Sequence, residues 1–281
     1  MSWLRRRAVR DTGRGLHAAL AILREKVEEA MEKTQRTHGK LYIVRHGQSA
    51  GNVLRDHAEA HGEEFIALNN RDADTPLSPL GEAQAHALGE WFAALPEDVR
   101  PDTILSSPFV RAHQTAAILA GKLCVEETAI EVDERLREKE FGILDRYTRK
   151  GIENKYPELA AQRSLVGKFY FRPPGGESWC DVILRLRSVV DGIRLTKPDC
   201  RVLVVGHQVI VNCFRYLLET MREEEILAVD AQGDFPNCGY AEYDIEKGPP
   251  VTFTLRHGRF LPPTLDTVDV TTESDVPGGP R

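Results

Sequence analysis

The chain has 281 residues, of which 41% are hydrophobic and 28% charged, and its net charge is −6. That is enough apolar sequence to bury a core without disulfides or a structural metal, and it offers no basic surplus that would point to nucleic acid. No window is long and apolar enough to span a bilayer, which argues against an integral membrane protein.

Residues 1–39 differ in character from the rest. The stretch 1–10 is basic, but no apolar signal core and cleavage site follow it. The five cysteines, Cys124, Cys180, Cys200, Cys213 and Cys238, are scattered and lack the spacing of a zinc site or a disulfide framework. A cytoplasmic protein is therefore expected. Leu16, Leu20, Leu23, Val27 and Met31 recur at helical spacing, which predicts an amphipathic helix. Such a helix packs on its own domain or joins two copies in a homodimer. A membrane-surface role through Arg5, Arg6, Arg7 and Arg10 is opposed by Glu25, Glu28, Glu29 and Glu32.

A domain over residues 40–260 comes next, in which strands and helices alternate. Residues 41–44 form a short apolar run, as in a strand covered on both faces. Leu80, Ala83, Ala87, Leu88, Trp91, Phe92 and Leu95 make a helical stripe opened by Ser78 as N-cap and Pro79. Residues 103–106 read as a second strand, and Ser107-Pro108 as the start of another helix. The stripe from Trp179 to Ile193 predicts a further helix, and residues 201–205 a third buried strand leading into Gly206-His207. Residues 238–245 and 251–256 suggest a late antiparallel addition. The order predicts an α/β fold, a three-layer α/β/α sandwich with a mostly parallel sheet. From residue 261 to 281 the proline-rich, acidic sequence reads as a disordered tail.

In such a sheet the carboxyl ends of the strands host the ligand. Arg45-His46-Gly47 follows the first strand, Arg111 falls in the first turn of the helix after the second, and His207 ends the third. Two arginines, two histidines and a helix N-terminus on one sheet edge make an anion site, with phosphate the natural anion.

These residues sit in ordered motifs: LYIVRHGQSAGN at 41–52, PLSPLGEAQAHALG at 76–89, SSPFVRAHQTA at 106–116, ERLREKEFG at 134–142 and VLVVGHQ at 202–208, with PPGGESWCDVILRLRS at 173–188. Together they resemble the histidine phosphatase superfamily, also called phosphoglycerate mutase-like. The resemblance implies that His46 attacks phosphorus and carries the phosphoryl group, that Arg45 and Arg111 clamp its oxygens, and that His207 stabilises the charge that builds there. Asn52 and Gln208 match phosphate-holding positions. Glu138 matches the carboxylate that protonates the leaving oxygen and then activates water, so it should be partly buried or close to phosphate charge. Glu140, two residues on, is the competing carboxylate. No cofactor and no metal are implied.

The resemblance leans toward the phosphatase branch. The Trp-Asn and Asn-x-Phe-x-Gly-Trp stretches of mutases are missing after the Arg-His-Gly loop, and the segment between Glu138 and His207 is short. A mutase-type phosphotransferase and a non-catalytic phosphate-sensing module are the alternatives, and the intact site residues argue for activity. The expected partner is a small phosphorylated substrate, its choice set by residues 53–75 and 143–174. Lys168, Tyr170 and Arg172 resemble a basic and aromatic stretch of fructose-2,6-bisphosphatases, which suggests a second anionic group on the substrate. A second Arg-His-Gly at 256–258 reads as coincidence, and His57 and His61 as a solvated helix face rather than metal ligands.

Overall fold

The computed structural model describes residues 39–269. The predicted N-terminal helix and most of the predicted tail lie outside them. A six-stranded sheet organises the rest, in the order β3-β2-β4-β1-β5-β6. Strands β1 (Gly39–Arg45), β2 (Thr103–Ser106), β3 (Glu131–Val132) and β4 (Arg201–Gly206) run parallel. The late pair, β5 (Tyr240–Glu246) and β6 (Thr252–Phe260), adds in antiparallel fashion beside β1.

Strand alternation divides the core in two. Leu41, Ile43, Val202 and Val204 face one side and pack under α6 (Trp179–Thr196) and α7 (Gln208–Leu218). Tyr42, Val44, Leu203 and Val205 face the other, under α2 (Pro79–Ala94) and α3 (Val110–Leu123). Because both faces are covered, these strands are continuous apolar runs, and the three-layer α/β/α sandwich expected from the sequence is what forms. The remaining helices are α1 (Ala50–Ala60), α4 (Arg149–Lys155), α5 (Pro157–Val166) and α8 (Glu223–Ala231). Ser49 and Ser78 cap α1 and α2 through their hydroxyls.

Two expectations change. Ser107 is not the cap of α3: the helix begins at Val110, with Phe109 as an N-cap that makes no side-chain cap bond. The Ser107 hydroxyl instead meets His207 at 2.8 Å and accepts from the Phe109 N–H at 3.3 Å. Nor does disorder set in at residue 261. Pro263–Thr267 forms a 3-10 turn whose Leu265 is fully buried in the core cluster containing Leu88 and Phe92 of α2. An isolated leucine among prolines has no period to announce it.

Candidate active site

The carboxyl ends of β1, β2 and β4 meet on one edge, and helices α1, α3 and α7 start there, so three positive helix ends converge. Arg45 ends β1 and His46 follows it, both wholly buried. The His46 N–H donates to the Gly206 carbonyl at 3.0 Å, and its own carbonyl accepts from Asn237 Nδ2 at 3.0 Å. The loop then passes so close to α2 that a Cβ on Gly47 would lie 2.4 Å from the Gly81 carbonyl oxygen, so only glycine fits.

The ring of His46 is fixed by bonds of opposite sense. Nδ1 donates to the Gly47 carbonyl at 2.6 Å, and Nε2 accepts from Arg111 Nε at 3.1 Å. That pattern assigns the proton to Nδ1 and leaves the Nε2 lone pair on the side of Arg111. His207 stands edge-on to His46, with ring centroids 5.1 Å apart, and the Phe109 ring closes its other side at 5.2 Å. Arg111 is 3% exposed and lies 5.1 Å from the Phe109 centroid. Thr115 couples it to the loop, since the hydroxyl donates to the Arg111 carbonyl at 2.8 Å and accepts from the Gly47 N–H at 3.2 Å. Arg45 Nη1 donates to the Phe235 carbonyl.

Asn52 lies one turn into α1, where Oδ1 accepts from both the N–H and the hydroxyl of Ser49 at 2.9 Å. Gln208 opens α7 beside His207. Its amide donates to Asp234 and accepts from the Phe235 N–H at 3.1 Å, which ties it to the loop that receives Arg45. Glu138 is 1% exposed, and its Oε1 accepts from the Lys139 N–H at 2.7 Å. Arg185 fastens this segment by donating to the carbonyls of Arg135 and Glu138 while pairing with Glu177. Glu140 is half exposed and 3.8 Å from Arg137, a surface carboxylate by comparison. Lys139 is buried against the Phe141 ring at 4.5 Å, and burial pushes its ammonium down to about 8.

A family model described as the histidine phosphatase superfamily (branch 1) matches residues 41–256. The chain belongs to that superfamily. A 6-phosphofructo-2-kinase/fructose-2,6-bisphosphatase from Caenorhabditis elegans is 32% identical over 173 residues, 62% of this chain and 32% of the worm protein. The chain thus spans about a third of that relative's length. A probable phosphoglycerate mutase from Photorhabdus laumondii is 28% identical over 214 residues, 75% of this chain and 86% of the relative. Among solved structures, a mycobacterial glucosyl-3-phosphoglycerate phosphatase aligns with a TM-score of 0.61 at 26% identity, covering 78% of this chain and 97% of that one.

In this member of the superfamily the seven sequence-predicted residues divide by what the structure shows of them. His46, Arg111 and His207 touch or face one another. Arg45, Asn52 and Gln208 border them, and Glu138 is buried on the segment after β3. Beyond Arg111 opens a small cleft, lined among others by Asn52, Arg55, Asp72, Phe141, Asp145 and Arg146. Lys168, Tyr170 and Arg172 do not line it. Lys168 pairs with Asp230, Arg172 pairs with Asp181 near the start of α6, and Tyr170 is half exposed. The second Arg-His-Gly lies on the edge strand β6 with His257 exposed, and His57 and His61 stack on each other in solvent. Among the described residues no cluster of His, Cys, Asp or Glu suits a metal ion. Sequence reasoning missed Asp72 and Asn237, polar residues outside every quoted motif, and assigned no role to Thr115 within the motif at 106–116.

Proposed function

We propose that this histidine phosphatase hydrolyses small phosphomonoesters through a phosphohistidine on His46, without a metal, in the cytoplasm. The observation that carries the reading is the His46 ring: Nδ1–H is bonded to the Gly47 carbonyl and the Nε2 lone pair is directed at Arg111. A neutral imidazole held this way is a ready nucleophile toward phosphorus. In the first step Nε2 bonds to phosphorus as the ester P–O bond breaks, and Glu138 gives its proton to the leaving oxygen. In the second, Glu138 takes a proton from water, the water oxygen bonds to phosphorus and the P–N bond breaks, which releases phosphate and restores both groups. Arg45, Arg111 and His207 offset the negative charge on the phosphoryl oxygens, with Asn52 and Gln208 bordering them. Five free thiols favour a reducing compartment, and no described helix is long and apolar enough to cross a membrane.

The relative described as a probable phosphoglycerate mutase keeps a second reading in view, in which the phosphoryl group returns to an acceptor hydroxyl instead of water. A panel of phosphoesters assayed in EDTA with wild type and His46→Ala, alongside a 3-phosphoglycerate mutase assay, separates the two. Phosphate release by wild type, lowered at least a thousandfold in His46→Ala and without mutase turnover, is the expected result. Release that persists in His46→Ala removes the nucleophile. Mutase turnover selects the second reading, and silence across the panel points to a binding module.

A further inference from the structure

If Arg111 holds phosphoryl oxygens, as the proposed function has it, its present partners matter, and the following inference rests on that reading. Every nitrogen of its guanidinium donates. Nε serves His46 at 3.1 Å, Nη1 serves the Asp72 carbonyl at 2.7 Å and Asp72 Oδ1 at 3.2 Å, and Nη2 serves Asp72 Oδ2 at 3.0 Å. The carboxylate therefore takes the two-pronged seat on the guanidinium that two phosphoryl oxygens would take.

The two partners differ in their freedom. Arg111 is 3% exposed, whereas the Asp72 side chain is 35% exposed and stands at the rim of the cleft. The backbone on either side of the Asp72–Asp74 turn is tied down. Arg146 donates to the carbonyls of Leu68 at 3.1 Å and Asn70 at 2.7 Å. Thr75 is buried and its hydroxyl donates to the Arg71 carbonyl at 3.2 Å. Rotation of the Asp72 side chain into the cleft, with the turn left in place, frees Nη2 and takes the carboxylate off Nη1, which keeps its bond to the Asp72 carbonyl.

We propose that Asp72 is a positioning residue, an internal counter-anion that keeps the Arg111 fork aligned beside His46 and that an incoming phosphoryl group must displace. Buried arginines and histidines around one anion would hold inorganic phosphate tightly and slow turnover by product. A carboxylate competing for the same fork weakens the affinity for substrate and product together. A charge-assisted pair of this kind makes the competition worth about tenfold or more in affinity.

The test uses Asp72→Asn, which keeps the shape and removes the charge, with Asp72→Glu as the conservative variant. KM and kcat for p-nitrophenyl phosphate are measured together with the inhibition constants of inorganic phosphate and orthovanadate. Asp72→Asn should lower KM and both inhibition constants by about tenfold with no gain in kcat, and Asp72→Glu should move them back toward wild type. Constants that stay put or rise in Asp72→Asn, in a wild type that does bind phosphate, overturn this inference and leave the phosphatase reading intact. A wild type that neither turns over any phosphoester nor binds phosphate overturns both.

Discussion

A single side chain can be held in a site at a cost, and Lys139 is the clearest case. It follows Glu138, is buried, and has the Phe141 ring 4.5 Å from its ammonium. Desolvation is the largest influence on it and outweighs the pull of Glu138 and Glu177, so it titrates at about 8 instead of the 10.5 of a free lysine. Below pH 8 both folded and unfolded chains carry the proton and the fold bears the full desolvation cost. Between 8 and 10.5 the folded chain releases its proton first, the unfolded chain binds more protons, and stability rises with pH. A displacement of this size corresponds to roughly 3 kcal/mol, more than the one or two that a ring contact returns. Lys139→Met should therefore melt above wild type at pH 7, and the gap should close toward pH 10. A variant that melts lower at pH 7 would show the ring contact to be the stronger influence. What could be read in the sequence at this scale follows the same physics. His46 and His207 stand out because they come directly after buried strands, and Arg111 because it falls in the first turn of the helix after one. Asp72 and Asn237 do not, because each acts on a group far along the chain, Asp72 on Arg111 and Asn237 on His46, and no local period marks them.

At the scale of elements, the order of layers was legible because strands buried on both faces and helices with one apolar stripe have different periods. Where a helix starts was less so. Ser107-Pro108 has the composition of a helix start, but the Ser107 hydroxyl is engaged by His207, and α3 begins at Val110. Tertiary demand overrode a capping preference worth about 1 kcal/mol. The 3-10 turn at Pro263–Thr267 shows the same override in the other direction. Its proline-rich surroundings signal disorder, yet Leu265 is fully buried in the core cluster shared with α2, α3 and the second face of the sheet. Removing its side chain leaves a cavity that the prolines beside it hold open, and Leu265→Ala should lower stability by about 3 kcal/mol. The urea midpoint should fall by that equivalent while turnover of phosphoester stays at the wild-type level. An unchanged midpoint would mean that the turn merely rests on the domain.

For the whole molecule, the acids sealed into the two cores set an alkaline limit. Burial raises Tyr42, Tyr240 and Cys238 on one face of the sheet, and Tyr243 and Cys213 on the other. Their neutral forms are well placed. The Tyr42 hydroxyl donates to the Val99 carbonyl at 2.8 Å, that of Tyr243 donates to Glu219 at 2.7 Å, and that of Tyr240 accepts from Trp91 at 3.0 Å. In the unfolded chain the thiols lose protons near 9 and the phenols near 10. The folded chain keeps its protons above those values, so beyond pH 9 the unfolded state binds fewer, and stability falls as pH rises. Each group contributes about 1.4 kcal/mol per pH unit once past its unfolded value, and five such groups outweigh the opposite trend of Lys139. The urea midpoint should hold between pH 7 and 8 and drop steeply by pH 10.5, with near-ultraviolet absorbance showing three of the seven tyrosines, Tyr42, Tyr240 and Tyr243, ionising only as the protein unfolds. Ionisation of all seven tyrosines near pH 10 while the fold persists would show that solvent reaches both faces of the sheet, and the alkaline limit would then belong to some other part of the molecule.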